Sequence, residues 1–235
     1  MKIAVVTGGS KGLGRTLCHD LIQHGYRVIE FSRSAPEAWS IAVDLSQTED
    51  ALEKISSALQ ELPTQGYEEI LVINNAATLE PIGATSKKAP STIVSNINTN
   101  FTSPVVALSR IIRHFQETPC RKVVATISSG AARKSYYGWS LYCATKAALE
   151  SFFGALALEQ QREAHPFIPI IIDPNVIDTE MQATIRRSSP ADFPDVERFK
   201  RRKDEGLLAA PEVVATQVLS ILARKDLEYG GRYEV

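Results

Sequence analysis

The sequence predicts an α/β fold: a single Rossmann-type, doubly wound parallel sheet with helices on both faces. Three observations predict it. Strand-like and helix-like stretches alternate along the whole chain. The strand candidates are apolar almost throughout, as strands covered on both faces should be. A glycine-rich turn, Thr7-Gly8-Gly9-Ser10-Lys11-Gly12-Leu13-Gly14, joins the first strand to the first helix.

Strands are expected at Lys2–Val6, Arg27–Phe31, Ser40–Val43, Glu69–Ile73, Lys122–Ile127 and Ile168–Ile172. Helices are expected at Leu13–His24, Thr48–Leu62, Ser91–Glu117, Ser140–Glu163 and Pro211–Ala223. Pro104 should bend or divide the third of these, because proline removes a helical donor and crowds the preceding turn. Only Ser34 to Val43 separates Arg33 from Asp44, too little for the usual crossover helix. The stretch Thr179–Leu208 is charged and carries Pro190 and Pro194, so it is the candidate lid. The 235 residues fit one domain, and no repeat, low-complexity run or linker divides them.

The net charge of −1 argues against a nucleic-acid or membrane-surface partner, both of which favour a strongly basic face. Cys18, Cys120 and Cys143 form no C-x-x-C pair and read as reduced thiols. The first strand begins at Lys2, leaving no room for a signal peptide, and no apolar run is expected to span a membrane. The expectation is a soluble, cytoplasmic protein without a metal, acting on a small molecule.

The glycine loop suggests a dinucleotide. Backbone N–H groups and a helix N-terminus can cradle a pyrophosphate only where side chains do not block the approach, as at Gly8, Gly12 and Gly14, with Ser10 and Leu13 alongside. A reader of the ribose 2′-hydroxyl is an Asp or Glu at the tip of the second strand. Here the tip reads Ser32-Arg33-Ser34, with Glu30 two residues earlier as the competing acid. Lys11 and Arg33 offer two cations for a 2′-phosphate, which favours NADP (NADPH) over NAD.

The second motif is Tyr142-Cys143-Ala144-Thr145-Lys146, preceded by Ser128-Ser129. On a helix Tyr142 and Lys146 share a face. A phenol is a poor proton donor at neutral pH, and a neighbouring ammonium is expected to lower its pKa. Cys143 lies about 100° further round and is expected to pack rather than react.

Taken together, Thr7-Gly8-x3-Gly12-x-Gly14, Asp44-Leu45, Asn74-Asn75-Ala76-Ala77, Asn98, Ser129, Tyr142-x3-Lys146 and Pro174-x4-Thr179 resemble the short-chain dehydrogenase/reductase family along the whole chain. Ile127-Ser128-Ser129-Gly130-Ala131, Tyr137-Gly138-Trp139 and Asp178-Thr179-Glu180-Met181-Gln182 are similar to benzil reductases and sepiapterin-reductase-like members. The resemblance implies Tyr142 as general acid, and Lys146 as the group that tunes Tyr142 and binds the nicotinamide ribose. It implies Ser129 as the hydrogen-bond donor to the substrate carbonyl, with Ser128 the alternative. Asn98 would hold a water that links Lys146 to solvent, with Asn96 and Asn100 as competitors; Phe101-Thr102 is taken to favour Asn98. Asp44 and Leu45 would meet the adenine, Asn74 would fix the strand beside the cofactor, and Pro174, Val176 and Thr179 would border the nicotinamide. Ala77 and Asn175 stand where the family usually has glycine; asparagine tolerates a left-handed backbone.

Tyr136, Tyr137 and Trp139 suggest an aromatic wall for a planar ketone. The apolar stretch Ala147–Leu158 and the family resemblance imply a homodimer or homotetramer. The expected activity is NADPH-dependent reduction of an aromatic or dicarbonyl ketone. The alternatives are an NADP-dependent alcohol dehydrogenase, an acyl-carrier-protein ketoreductase, or a non-catalytic NADP(H) sensor.

Overall fold

The computed structural model describes residues 1–235. Seven parallel strands form one sheet in the order β3-β2-β1-β4-β5-β6-β7. They are β1 (Lys2–Thr7), β2 (Tyr26–Ser32), β3 (Ser40–Ala42), β4 (Glu69–Asn74), β5 (Arg121–Ile127), β6 (Ile168–Asp173) and β7 (Arg232–Glu234). The helices are α1 (Gly12–Gln23), α2 (Thr48–Gln60), α3 (Pro90–Ile97), α4 (Ser103–Phe115), α5 (Ser140–Gln160), α6 (Glu180–Arg187), α7 (Val196–Asp204) and α8 (Pro211–Leu222). Strand order reverses between β1 and β4, and in such sheets ligands sit at the carboxyl ends beside that point.

The apolar strands have two covered faces. Ile3 and Val5 pack with Phe115 and Phe153 on one side, while Ala4 and Val6 pack with Leu17 and Val218 on the other. The six expected strands are present. β7, only Arg-Tyr-Glu, offers no apolar run and gave no signal in the sequence. Between β2 and β3 the chain makes a short connection without a helix.

The long third helix changes its winding upstream of Pro104. A π-helical turn over Asn98–Thr102 lies between α3 and α4 in one continuous helical run, and Pro104, which cannot donate back to that turn, follows it as the second residue of α4.

The stretch 179–208 folds as α6 and α7 rather than as an irregular loop. Its ends are pinned together by a parallel bridge between Ile177 and Ala209, in which Asp178 N–H donates to Ala209 O at 2.9 Å. The Asp178 carboxylate ties the two helices by pairing with Arg186 at 3.9 Å and with Lys203. A separate apolar cluster lies beneath, in which Ile185, Phe193, Val196 and Phe199 pack on Leu79, Trp139 and Tyr142. Trp139 is its hub, stacked on Phe193 at 4.6 Å and edge-on to Phe199 at 5.5 Å.

At 21 residues α5 is long and apolar enough to cross a membrane by length and composition, contrary to the sequence expectation. Here it packs on β5 and β6 and buries Tyr142, Lys146, Leu149 and Phe153.

Phe193→Ala removes a fully buried ring, a loss of about 3–5 kcal/mol that should fall mainly on this cluster. Native-state hydrogen exchange should show 179–208 opening more readily while β1, β4 and β5 keep their protection. Equal loss across the sheet would show that this segment is not a separate cooperative unit.

Candidate active site

The glycine loop is shaped by close backbone approaches. Gly8 has φ +73°, and a Cβ there would lie 2.7 Å from the Ala76 backbone; one on Gly14 would lie 2.2 Å from the Gly8 carbonyl oxygen. Asn75 secures the turn by donating from Nδ2 to Gly8 O at 2.9 Å and Thr7 O at 3.2 Å. From behind, the fully buried Glu30 accepts the Gly9 N–H at 2.7 Å and the Ser32 hydroxyl at 3.1 Å.

A cavity of about 1010 Å³ runs from this loop across the carboxyl ends of the strands. Gly8, Ser10, Lys11, Gly12, Leu13 and Gly14 line one end, with Arg33, Asp44 and Leu45 beside them. Tyr142, Lys146, Pro174, Val176 and Thr179 line the middle, and Tyr136, Trp139 and Phe199 the far side. The first turn of α1 presents unpaired backbone N–H groups to an anion. These residues fit a dinucleotide, because close packing that only glycine at Gly8 and Gly14 allows holds the loop and the start of α1 at the cavity wall. Lys11 and Arg33 have no ion-pair partner, whereas Glu30 is turned inward on the loop and does not reach the wall.

At the end of β5 the chain presents two serines that face different ways. Ser128 donates to Glu150 Oε1 at 2.7 Å, while Ser129 caps a short 3-10 turn, accepting Ala131 N–H at 3.2 Å, and faces Tyr142. Tyr142 and Lys146 lie one turn apart on α5, both buried. The Lys146 ammonium donates to Ile127 O at 2.6 Å and lies 5.7 Å from the Tyr142 ring centroid.

Burial pushes the Tyr142 phenol up to about 12; the facing Ser129 hydroxyl opposes this and the Asp173 carboxylate adds to it. Burial also lowers Lys146 to about 8, against the pull of Asp173 and Glu150. The expected lowering of Tyr142 by Lys146 is not found in the protein alone, where the loss of water around the phenol dominates and only Ser129 opposes it. A protonated phenol is the form a proton donor needs.

Two carboxylates behind the site are tied to one arginine. Arg232 of β7 donates to Asp173 Oδ2 at 2.5 Å and to Glu150 Oε1 at 3.2 Å. Neither Asp173, Glu150 nor Arg232 stood out in the sequence; Arg232 and Asp173 meet only through the β6–β7 pairing. Asn175, next to Pro174, adopts φ +54°, the left-handed turn expected there.

Two expected residues do not reach the cavity. Asn98 turns away and donates to Ser46 O at 3.1 Å. The wide π turn changes the helix phase, so Asn96 and Asn100 are the buried asparagines, neither in the cavity wall: Asn96 donates to Glu80 O at 2.7 Å, and Asn100 donates to Thr78 O at 2.8 Å and Thr145 Oγ1 at 3.3 Å and accepts Thr78 N–H at 2.8 Å. Phe101-Thr102 was a misleading guide to that phase. Asn74 lies beneath the wall, bonded to Thr7 and Thr126, and fixes the strands as expected without touching the cavity; Asn75, Ala76 and Ala77 of that motif line the wall. Tyr137 is exposed and outside the cavity, and Cys143 donates weakly to Lys134 O at 3.6 Å and packs beside Trp139.

The chain belongs to the short chain dehydrogenase family, whose model matches residues 2–190. These are oxidoreductases that use NAD(H) or NADP(H). The chain is 33% identical over 240 residues to a benzil reductase ((S)-benzoin forming) of Bacillus subtilis, covering 100% of this chain and 98% of the relative. It is 32% identical to a sepiapterin reductase of Bos taurus, covering 99% and 93%. The crystal structure of the KRED1-Pglu enzyme superposes with a TM-score of 0.82 at 26% identity, covering 99% and 100%.

Two outcomes test the geometry. Asn100→Ala strands the Thr78 N–H, leaves Thr78 O with only the longer Asn96 bond at 3.3 Å, and should cost about 2–4 kcal/mol, whereas Asn98→Ala, losing one bond to Ser46, should cost about 1 kcal/mol. Similar denaturant midpoints for the two variants would contradict this. Lys146 loses its charge as pH rises through about 8, while Tyr142 stays protonated to about 12, so kcat/KM for reduction should fall on the alkaline side near the lower value. Asp173 holds Lys146 up, so Asp173→Asn should move that limb to lower pH; an unmoved or raised limb would show that Lys146 does not set it.

Proposed function

We propose that this chain is an NADPH-dependent carbonyl reductase acting on aromatic or dicarbonyl ketones. The observation that carries this reading is the convergence of Ser129, Tyr142 and Lys146 on one cavity between the glycine loop and an aromatic wall. Bound NADPH supplies the hydride. The Ser129 hydroxyl donates to the substrate oxygen and fixes the carbonyl, a bond that strengthens as charge develops there. The Tyr142 phenol gives that oxygen its proton. Lys146 stabilises the phenolate left behind and would hold the ribose, with Ile127 O keeping its ammonium in place.

Gly8, Ser10, Gly12, Leu13 and Gly14 would hold the pyrophosphate, Asp44 and Leu45 the adenine, and Pro174, Val176 and Thr179 the nicotinamide end. The free cations Lys11 and Arg33, with Glu30 committed to Gly9, favour NADPH. Benzil and sepiapterin reductase relatives, and the Tyr136–Trp139 wall, support a ketone flanked by planar or polar groups. Asn100, rather than Asn98, supports the lysine side of the site through Thr145, one residue before Lys146. The exposed stripe Ala144, Ala147, Ser151, Gly154, Ala155 and Leu158 on α5 supports a homodimer or homotetramer.

Following NADPH and NADH oxidation over a panel of benzil, pteridine and simple diketones tests this reading. Benzil or a related diketone should be reduced with NADPH preferred. If every ketone fails while NADPH binds, the chain is a cofactor-binding sensor. Lys11→Ala with Arg33→Ala should weaken NADPH by about 10²-fold or more with little change for NADH, at about 1.5–3 kcal/mol for each charged contact. A wild-type preference for NADH would overturn the cofactor assignment.

A further inference from the structure

We propose that the substrate is an aromatic ketone that also carries a carboxylate, and that Arg198 and Arg202 of α7 receive it; this rests on the carbonyl-reductase reading. Both arginines border the cavity, and their spacing puts them one turn apart on the same helix face. Phe199, between them, fixes which end of the cavity they meet. It is buried, with its ring 5.5 Å from Trp139, and Trp139 is 6.0 Å from Tyr142. The arginines therefore stand over the catalytic end, while Lys11 and Arg33 stand at the glycine-loop end.

Their lack of partners sets them apart on the lid. Arg186 and Lys203 pair with Asp178, Arg187 pairs with Glu180 at 2.7 Å, and Lys200 pairs with Glu197 at 2.7 Å. Arg198 and Arg202 make no ion pair, and Arg201, also unpaired, is not in the cavity wall. Compensation of the helix dipole accounts for basic residues in the last turn of α7 but not for Arg198, a turn earlier. Arg202 lies 5.9 Å from the Phe199 ring, a cation–π contact that orders its guanidinium without neutralising it. Of the carboxylates that also border the cavity, Glu180 is paired with Arg187 and Asp173 with Arg232, while Asp44 lies at the glycine-loop end and Glu80 makes no ion pair. Two guanidinium forks beside an aromatic wall suit a planar carboxylate on an aromatic body.

The test compares benzil bearing a 4-carboxylate with its methyl ester, which changes charge while leaving the reacting diketone alike. In the wild type, KM for the acid should be about ten-fold or more below that for the ester, as one charge-assisted contact implies. The difference should narrow as salt is raised. Arg198→Gln with Arg202→Gln, which keeps length and helix propensity, should abolish the preference for the acid. No preference in the wild type, or a preference that survives in the double variant, overturns the inference. If the ester is reduced without preference, the inference alone falls. If neither compound is reduced while NADPH binds, the carbonyl-reductase reading falls with it.

Discussion

The site depends on keeping one ammonium charged inside the protein. Lys146 is buried, and burial alone drives its pKa down. Three features offset that cost: the Ile127 carbonyl at 2.6 Å and the nearby carboxylates of Asp173 and Glu150. Those carboxylates would be costly too if left bare, and Arg232 binds both. A three-residue strand at the sheet edge thus bears on the balance of charge around Tyr142 and Lys146. The network also reaches Ser128 through Glu150, fixing the chain direction that leaves Ser129 facing the phenol.

The sheet brings the parts together by its order. β1 ends beside β4, so the glycine loop abuts Ala76 and Asn75, and the distance left between backbones admits no side chain at Gly8 or Gly14. β5 and β6 deliver Ser129 and Pro174 on the other side of the same crevice, and α5 lays Tyr142 and Lys146 between them. α6 and α7 then close the far end, anchored by the Trp139 cluster rather than by the sheet. Cofactor and substrate regions therefore rest on different parts of the core.

Much of this was legible in the sequence because the signals are local. Doubly covered strands show as apolar runs, a tight β–α turn shows as spaced glycines, and one helical turn shows as Tyr-x3-Lys. What was not legible depends on long-range pairing or on helix phase. β7 has no apolar pattern, and Arg232 meets Asp173 only once β7 has docked on β6. Asn98 and Asn100 could not be separated by spacing, since a π turn shifts the face on which each residue falls. Glu30 looked like a possible ribose reader from its place near the strand tip; its direction, inward to Gly9, is set by packing. Helices α6 and α7 were masked by prolines and charge, their buried residues being only Ile185, Val196 and Phe199, with Phe193 in the link between.

In the proposed reaction the Tyr142 hydroxyl supplies the proton. The most direct measurement is steady-state reduction of a diketone by Tyr142→Phe, with NADPH affinity measured separately and Tyr137→Phe as the control. Tyr137 is exposed and outside the cavity, so its loss of a hydroxyl tests for effects unrelated to the site. Turnover of Tyr142→Phe should fall by about 10²–10⁴-fold, the range for a general acid, with NADPH affinity near wild type and Tyr137→Phe little changed. Equal losses in the two variants, or retention of most activity by Tyr142→Phe, would show that Tyr142 is not the acid.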